Sequence, residues 1–207
     1  MEWPFSSLQI SAGEVLLRGV TDADLDPLLA TLPPDLDLDP ANEHFTSLAP
    51  EADRRRQVCA EIWKHRGTWS PSSWALDLVV EVDGEVVGLQ ALEGEQFPLL
   101  RTVDSYSWLA ARVRGRGLAT SMRTGVLALA FDHLGAEVAV SSAEPDNAPS
   151  LAVSRRLGYA DNGVSRSNGP RGPIDLQHVR LTREAWRASG RTATVTGVEA
   201  CLPWFSG

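Results

Sequence analysis

The sequence predicts an α/β domain built on a mixed, mostly antiparallel sheet with helices packed against it. Three observations carry that prediction. From Trp74 apolar residues alternate (Leu76, Leu78, Val80, Val82), Asp83-Gly84 supplies a two-residue turn, and the pattern returns over residues 86–92, which reads as an antiparallel hairpin. After one more strand comes a glycine-rich stretch, Arg112-Val113-Arg114-Gly115-Arg116-Gly117-Leu118-Ala119-Thr120, which opens a long helical pattern. Beyond it, segments of strand and helix period alternate as far as Leu181.

The elements follow in order. Residues 8–18, with Val15, Leu16 and Leu17, are expected as a first strand. Thr21 or Asp22 caps a helix whose Leu25, Leu28, Leu29 and Leu32 recur at helical spacing until Pro33-Pro34 stops it. Residues 35–50 are polar and read as a solvated loop carrying Asp35, Asp37, Asp39 and Glu43, and residues 51–66 as a helix with Val58, Ile62 and Trp63 inward. After the hairpin, residues 94–100 are expected to be a loop. Residues 102–109 then form a strand with Asp104, Tyr106 and Trp108 on one face and Val103, Ser105, Ser107 and Leu109 on the other.

The helix after the glycine-rich stretch places Leu118, Met122, Val126, Leu129, Ala130 and His133 inward, and Gly135 ends it. Residues 136–143 make a strand. Asn147 or Ala148 begins a helix with Pro149 near its first position, Arg155 and Arg156 in its last turn, and Gly158 past its end. Residues 161–173, rich in Gly, Ser, Asn and Pro, are expected to be a loop, and residues 174–181 close the sheet. Residues 1–182 form the domain on this reading. The apolar tail 183–207, with Trp186, Val195, Val198, Leu202, Trp204 and Phe205, is expected to pack on it or on a second subunit.

A chain of 207 residues with 43% hydrophobic content can bury one substantial core. A formal net charge of −8 with no basic tract argues against a nucleic-acid partner and for a cationic or neutral one. Cys59 and Cys201 are too few for a disulfide scaffold and lack metal-ligand spacing, so both are read as packing residues in a reducing cytoplasm, with no metal. The N-terminus lacks a basic region followed by an apolar run, and no segment approaches membrane-spanning length, so neither export nor a membrane partner is expected.

The chemistry of residues 112–120 points to phosphate. Gly115 and Gly117 remove the Cβ atoms that would keep a ligand off the backbone and allow positive φ, so successive amides can turn toward one anion. The loop runs into a helix N-terminus, with its unpaired N–H groups and positive dipole end. Arg112, Arg114 and Arg116 add positive charge in an acid-rich chain. The Gly-Lys-Ser/Thr ending of a P-loop is missing, and a dinucleotide fingerprint would need a third glycine at Thr120 and an acidic residue on the next strand. Arg112, Gly115 and Gly117 instead match R/Q-x-x-G-x-G/A. With Ser107-Trp108-Leu109 before it, and Asp146-Asn147-Ala148-Pro149-Ser150 and Leu157-Gly158-Tyr159 after it, the segment over about residues 104–159 resembles the GNAT superfamily of acyl-CoA-dependent N-acyltransferases. The likeness is to the RimJ/RimL-like branch, which acylates α-amino groups of proteins and various small amines; it is looser over residues 8–92 and ends near Leu181.

The resemblance implies a sheet of about seven strands, splayed in the middle to admit acyl-CoA between the strand ending at Leu109 and the strand ending near Ala143. It implies acetyl-CoA, or next succinyl-CoA, as co-substrate, and a primary amine of a protein or small molecule as acceptor, attacking directly through a tetrahedral intermediate. Trp108, Leu109, Arg112, Val113, Arg114, Gly115, Arg116, Gly117, Leu118, Ala119 and Thr120 would then hold the cofactor, and free N–H groups at the splay would hold the thioester carbonyl. Asn147 matches the residue that hydrogen-bonds the pantetheine arm and is equally placed as a helix cap. Ser150 matches the position that protonates the departing thiolate, and a first-turn serine also has local roles. Tyr159 matches a mostly structural position.

The glutamate that some members carry five residues before the asparagine is Ser142 here. That leaves Asp104, Glu93 and Glu144 as the nearest carboxylates for a base, with Asp104 preferred because its strand leads to the reaction centre. An α-amino group with a pKa near roughly 8 also needs no strong base at neutral pH. In the family the loop between the first two helices borders the acceptor, so the acidic residues between Asp35 and Glu43 would attract an ammonium. A succinyl carboxylate could meet Ser105, Ser107 and Tyr106, or Arg166 and Arg171. Because the usual base is missing, an acyl-CoA-binding regulatory module without turnover stays open, as does a homodimer.

Overall fold

The structure, a computed structural model, describes residues 3–39, 41–169 and 172–206. The segment expected as a single first strand is a hairpin, β1 (Gln9–Ala12) and β2 (Val15–Gly19), turning at Gly13 with φ +60°. The turn brings Ile10, Ala12, Val15 and Leu17 to one buried face. Thr21 and Asp24 then form a capping box ahead of α1 (Leu25–Ala30). In α2 (Pro50–Gly67) Val58 and Ile62 are buried, but Trp63 is 53% exposed, because one residue's step along a helix rotates the side chain by about 100°. β3 (Ser73–Val82) and β4 (Glu85–Glu95) are the expected hairpin, turned by Asp83 and Gly84 at φ +52° and +79°. β4 runs past Leu92, and the loop expected after it contains a helical turn, α3 (Phe97–Leu100).

Next come β5 (Thr102–Val103), β6 (Ser107–Leu109) and α4 (Leu118–Ala128), which continues as a π turn over Leu129–His133. The wider turn leaves His133 exposed rather than inward. β7 (Val138–Ala143), α5 (Ala148–Arg156), β8 (Ala160–Gly169), β9 (Gly172–Thr182), α6 (Arg183–Ala188), β10 (Thr194–Thr196) and α7 (Pro203–Ser206) complete the chain. The segment expected as a loop over residues 161–173 is therefore mostly β8. Nearly all of β8 is exposed, so backbone pairing with β9 holds it and no apolar alternation announces it; Gly163, at φ +93°, sits in its register shift. Arg166 lies on this strand opposite Asp175. Arg171 falls outside the described residues.

The strands form two sheets, ordered β10-β1-β2-β3-β4-β6 and β5-β7-β9-β8. Among the described residues the ladders are antiparallel except that of β5 with β7. The strand expected as one piece over residues 102–109 belongs to both sheets: Val103 pairs with Ala139, then Asp104 bridges to Glu93, and Trp108 pairs with Leu89. The chain thus leaves one sheet for the other within a single step, and that departure opens the cleft.

Two cores flank the six-stranded sheet. On one face Ile10, Leu17, Leu76, Leu78 and Val80 pack with Met122 and Val126 of α4. Gly125 permits that approach: a Cβ there would meet methyls of Ile10 and Leu17 at 3.0 and 3.1 Å. On the other, α1 and α2 set Leu28, Leu29, Val58 and Ile62 on Val79, Leu89, Ala91 and Trp108. In the tail, Trp186 stacks on Phe131 at 5.8 Å, β10 pairs with β1, and Phe205 packs among Phe5, Trp69 and Trp74. Cys201 is buried and Cys59 partly so, both free thiols. No helix among the described residues is long and apolar enough to cross a membrane.

Candidate active site

β6 is the edge strand of its sheet. Ala91 N–H donates to the Tyr106 carbonyl at 2.9 Å and Ala110 N–H to the Val87 carbonyl at 2.8 Å, so the main chain of Trp108 faces β4. Alternation then turns the N–H groups of Ser107 and Leu109 toward the opening. Arg114 Nε donates to the Leu109 carbonyl at 3.1 Å, which ties the loop that follows to this strand end.

In that loop Gly115 and Gly117 have φ +80° and +87°, and a Cβ on either would meet nothing within 4 Å. Thr120 and Ser121 N–H close the first turn of α4 on the Gly117 carbonyl, while the amides of residues 115–119 have no hydrogen-bond partner among the described residues. Open space against bare glycine backbone, unpaired donors and a helix start fit the pyrophosphate of CoA. Each arginine here meets a carboxylate: Arg112 with Glu85 at 3.4 Å, Arg114 with Asp35 at 2.6 and 2.9 Å, and Arg116 with Glu14 at 2.9 Å. All these side chains are well exposed, so a polyphosphate can exchange for the carboxylates.

Across the cleft Asn147 caps α5, its Oδ1 accepting from Ser150 N–H at 3.2 Å. Arg123 of α4 is 6% exposed; its Nη1 donates to Ser154 Oγ at 3.0 Å, and Ser154 Oγ donates to the Ser150 carbonyl at 3.3 Å. The guanidinium thus braces the turn that presents Ser150. Arg123 Nε, Ser105 Oγ and Tyr159 Oη are buried without a hydrogen-bond partner among the described residues. Burial pushes the Tyr159 phenol up to about 12, against the pull of Arg123, so it stays protonated at neutral pH.

Trp108 and Tyr106 of the expected face look toward α1 and α2, alongside Leu89 and Ala91 of β4, whereas Asp104, at the step between the sheets, has Arg123 of α4 and His178 of β9 as its charged neighbours. Asp104 and Glu93 exchange main-chain hydrogen bonds at 2.9 Å in both directions, which sets their side chains on one face. Burial raises the Asp104 carboxyl, although Ser105 N–H at 2.6 Å and the charges of Arg123 and His178 pull it down. Burial, then the charge of Asp104, raises Glu93. Asp104 keeps solvent access at the step between the two sheets. Glu144, the other carboxylate considered, follows β7, and its carbonyl accepts from Asn147 N–H at 2.9 Å.

Sequence reasoning missed Glu61, His65 and Asp77. His65 Nδ1 lies 2.8 Å from Asp77 Oδ2 and Nε2 3.0 Å from Glu61 Oε1, and Tyr106 Oη donates to Asp77 Oδ1 at 3.4 Å. Two signals were present: a carboxylate within the apolar run of β3, and an acid–imidazole pair one turn apart in α2. Beside them is a cavity of about 280 Å³, lined by Leu36, Leu38, Val58, Ile62, Leu89 and Trp108, with Asp37, Asp39, Glu61 and Tyr106 as its ionisable groups. Arg54 donates to the carbonyls of Leu36 and Pro33 at 3.0 Å, fastening the loop that forms its wall.

Residues 14–160 match the family model described as the Acetyltransferase (GNAT) domain. The chain belongs to the GNAT acetyltransferase family. It is accordingly an acyl-CoA-dependent N-acyltransferase. Solved structures share its fold. RimJ from Mycobacterium smegmatis, in complex with CoA-disulfide, superposes with a TM-score of 0.69 at 20% identity, over 92% of this chain and 98% of that one. A GCN5-related N-acetyltransferase from Brucella melitensis gives 0.66 at 19% identity, over 87% and 80%. The spermidine/spermine N-acetyltransferase SpeG from Vibrio cholerae, in mutant form, gives 0.66 at 14% identity, over 86% and 99%.

Proposed function

We propose that this GNAT enzyme transfers an acyl group, acetyl first and succinyl next, to a primary amine that approaches over the α1 and α2 face. The observation that carries the reading is that a glycine-formed phosphate cradle follows β6 directly while the bridged carboxylate residues Asp104 and Glu93 lie just before it on the same run of chain and its partner β4. The amides of residues 115–119 with Arg112, Arg114 and Arg116 hold the pyrophosphate. Leu109 N–H, facing the opening, donates to the carbonyl oxygen as negative charge develops there. CoA supplies the thioester; the chain positions it.

Asp104, with Glu93 beside it, takes the proton of the incoming ammonium, a role suited to carboxyls raised toward neutrality. Ser150, braced through Ser154 and Arg123, returns a proton to the thiolate, and Asn147 holds the pantetheine arm. Protonated Tyr159 supports this side without acting as the acid. For a succinyl donor, Ser105 and Arg123 are better placed than Tyr106, which faces the acceptor cavity instead. We also read residues 183–207 as an extension packed on the acyltransferase domain, because β10 adds a strand to β1.

Calorimetric titration with acetyl-CoA, succinyl-CoA and free CoA tests the donor half, and thiol release in the presence of primary amines tests the acceptor half. CoA binding together with amine-dependent thiol release is the expected result. CoA binding with no turnover for any amine would leave a binding module and overturn the proposal.

A further inference from the structure

We infer that the acceptor is a primary amine on an apolar body, its nitrogen oriented by the side-chain series Tyr106, Asp77, His65 and Glu61. This rests on the amine-acceptor reading above and narrows it. The cavity of about 280 Å³ is walled by Leu36, Leu38, Val58, Ile62, Leu89 and Trp108. An apolar cavity of about 150 Å³ stays dry and takes a benzene ring, so this one has room for an aryl or branched alkyl group on a short linker. Asp37 and Asp39 belong to the lining but are exposed to solvent, so a second ammonium beside them would keep its water and gain little. The body is therefore recognised by burial of apolar surface and the nitrogen by the polar end.

That polar end is fixed in direction. Both ring nitrogens of His65 face carboxylate oxygens, Asp77 at 2.8 Å and Glu61 at 3.0 Å, and carboxylates only accept, so each nitrogen carries its proton. Burial alone would lower the imidazole, but the hydrogen bond of Asp77 and the charges of Asp77, Glu61 and Glu93 outweigh it and raise it. The imidazolium keeps Asp77 an acceptor. Its second oxygen accepts from the Tyr106 hydroxyl, 3.4 Å between the oxygens, which leaves the Tyr106 oxygen able to accept from a group in the cavity it lines. Burial and the neighbouring carboxylates lift the Tyr106 phenol well above its ordinary value, so it orients an amine N–H and does not act as a base. His65 is a positioning residue that works through Asp77.

The experiment is steady-state acetyl-CoA consumption with phenethylamine, ethylamine, glycinamide and 1,4-diaminobutane, using the parent, Leu38→Trp, Tyr106→Phe and His65→Gln. For the parent, kcat/KM for phenethylamine is expected to exceed that for glycinamide and 1,4-diaminobutane by at least about 10-fold, the value of a few buried methylene equivalents. Leu38→Trp, a change in a loop, fills the cavity: KM rises for phenethylamine and holds for ethylamine. Tyr106→Phe raises the amine KM about 10-fold, the loss of a hydrogen bond to a charged group. His65→Gln moves amine KM in the same direction. Both leave the acetyl-CoA KM in place, which a merely structural role would not, and Tyr106→Phe leaves the thermal midpoint there too, whereas His65→Gln lowers it because the buried Asp77 loses its charged partner. If no amine is acylated, the amine-acceptor reading fails and this inference with it. If amines turn over but glycinamide or 1,4-diaminobutane equals phenethylamine, or the three variants leave amine KM unmoved, this inference is overturned and the acyltransferase reading stands.

Discussion

The loop after β6 and the face beneath α1 and α2 meet at one strand, yet they would bind by different means. The loop offers main-chain N–H groups, and its side chains matter chiefly where they are absent, at Gly115 and Gly117. The acceptor face offers side chains, drawn from α2, β3, β4 and β6. A site made of backbone is written in consecutive residues, because positive φ and missing Cβ atoms are local demands. One made of side chains is written in register, and only folding brings Asp77, Glu93 and Tyr106 together. The comparison also divides the chemistry: the loop should be most sensitive to added bulk, the acceptor face to the loss of particular side-chain groups as well as to bulk in its cavity.

The largest effect expected is on the main-chain half. Gly117→Trp puts an indole where the space is open and forces a residue with a Cβ to φ +87°. CoA affinity should fall by at least about 100-fold, equivalent to two hydrogen bonds to a charged group at about 1.5–3 kcal/mol each. Isothermal titration with free CoA checks this. Retained affinity would mean that the cradle does not hold the pyrophosphate.

Next is Asp104→Asn, which should lower kcat by roughly 10- to 100-fold, at or below the low end for a lone general base because Glu93 can share the proton, and leave CoA affinity unchanged. It also has a stability signature of known sign. The folded carboxyl lies above its ordinary value of 3.8, so the folded state holds a proton that the unfolded state has released, and stability falls as pH rises through that window. Asparagine removes this penalty. Denaturation midpoints should therefore rise in the variant at pH 7, with the gain fading as pH drops toward 3.8. A variant that loses activity and stability together would argue against a proton-transfer role.

What was legible in the sequence follows the same division. The β3–β4 hairpin showed in alternation and an Asp-Gly turn, and the loop over residues 112–120 in its glycines, because both rest on neighbours in sequence. The division of residues 102–109 between two sheets did not show: Thr102 to Leu109 looks like one strand, and its partners, Ala139 and Leu89, lie on either side of it in sequence. β8 was hidden because its residues are exposed and carry no periodic burial. His65 was hidden because a histidine in a helix end looks solvated until Asp77, on another element, is placed 2.8 Å away.

Asn147 offers a smaller and more local test of the two kinds of site. Asn147→Ala removes the cap that accepts from Ser150 N–H, and stability should fall by about 1 kcal/mol. Asn147→Ser restores a capping oxygen without the amide. If the serine variant recovers the unfolding midpoint but not CoA affinity, the side chain holds the pantetheine arm as well as the helix. Recovery of both would reduce it to a cap.

The smallest effect probes the seam between the halves. Asp35, at the start of the loop that walls the acceptor cavity, accepts both terminal nitrogens of Arg114, and that hydrogen-bonded pairing holds the Asp35 carboxyl below its ordinary value. A CoA phosphate that engages Arg114 must compete with Asp35, so cofactor entry loosens one anchor of the acceptor loop. Asp35→Asn removes the competitor and should tighten CoA binding by about two- to fivefold, the modest scale of an exposed ion pair, with the gain shrinking as salt screens the parent's pair. Arg54 still fastens Leu36 and Pro33, so the cavity wall persists and amine KM should stay within about twofold in the same variant. If CoA affinity is unchanged at low salt, Arg114 does not exchange Asp35 for phosphate, and the two halves of the cleft bind independently.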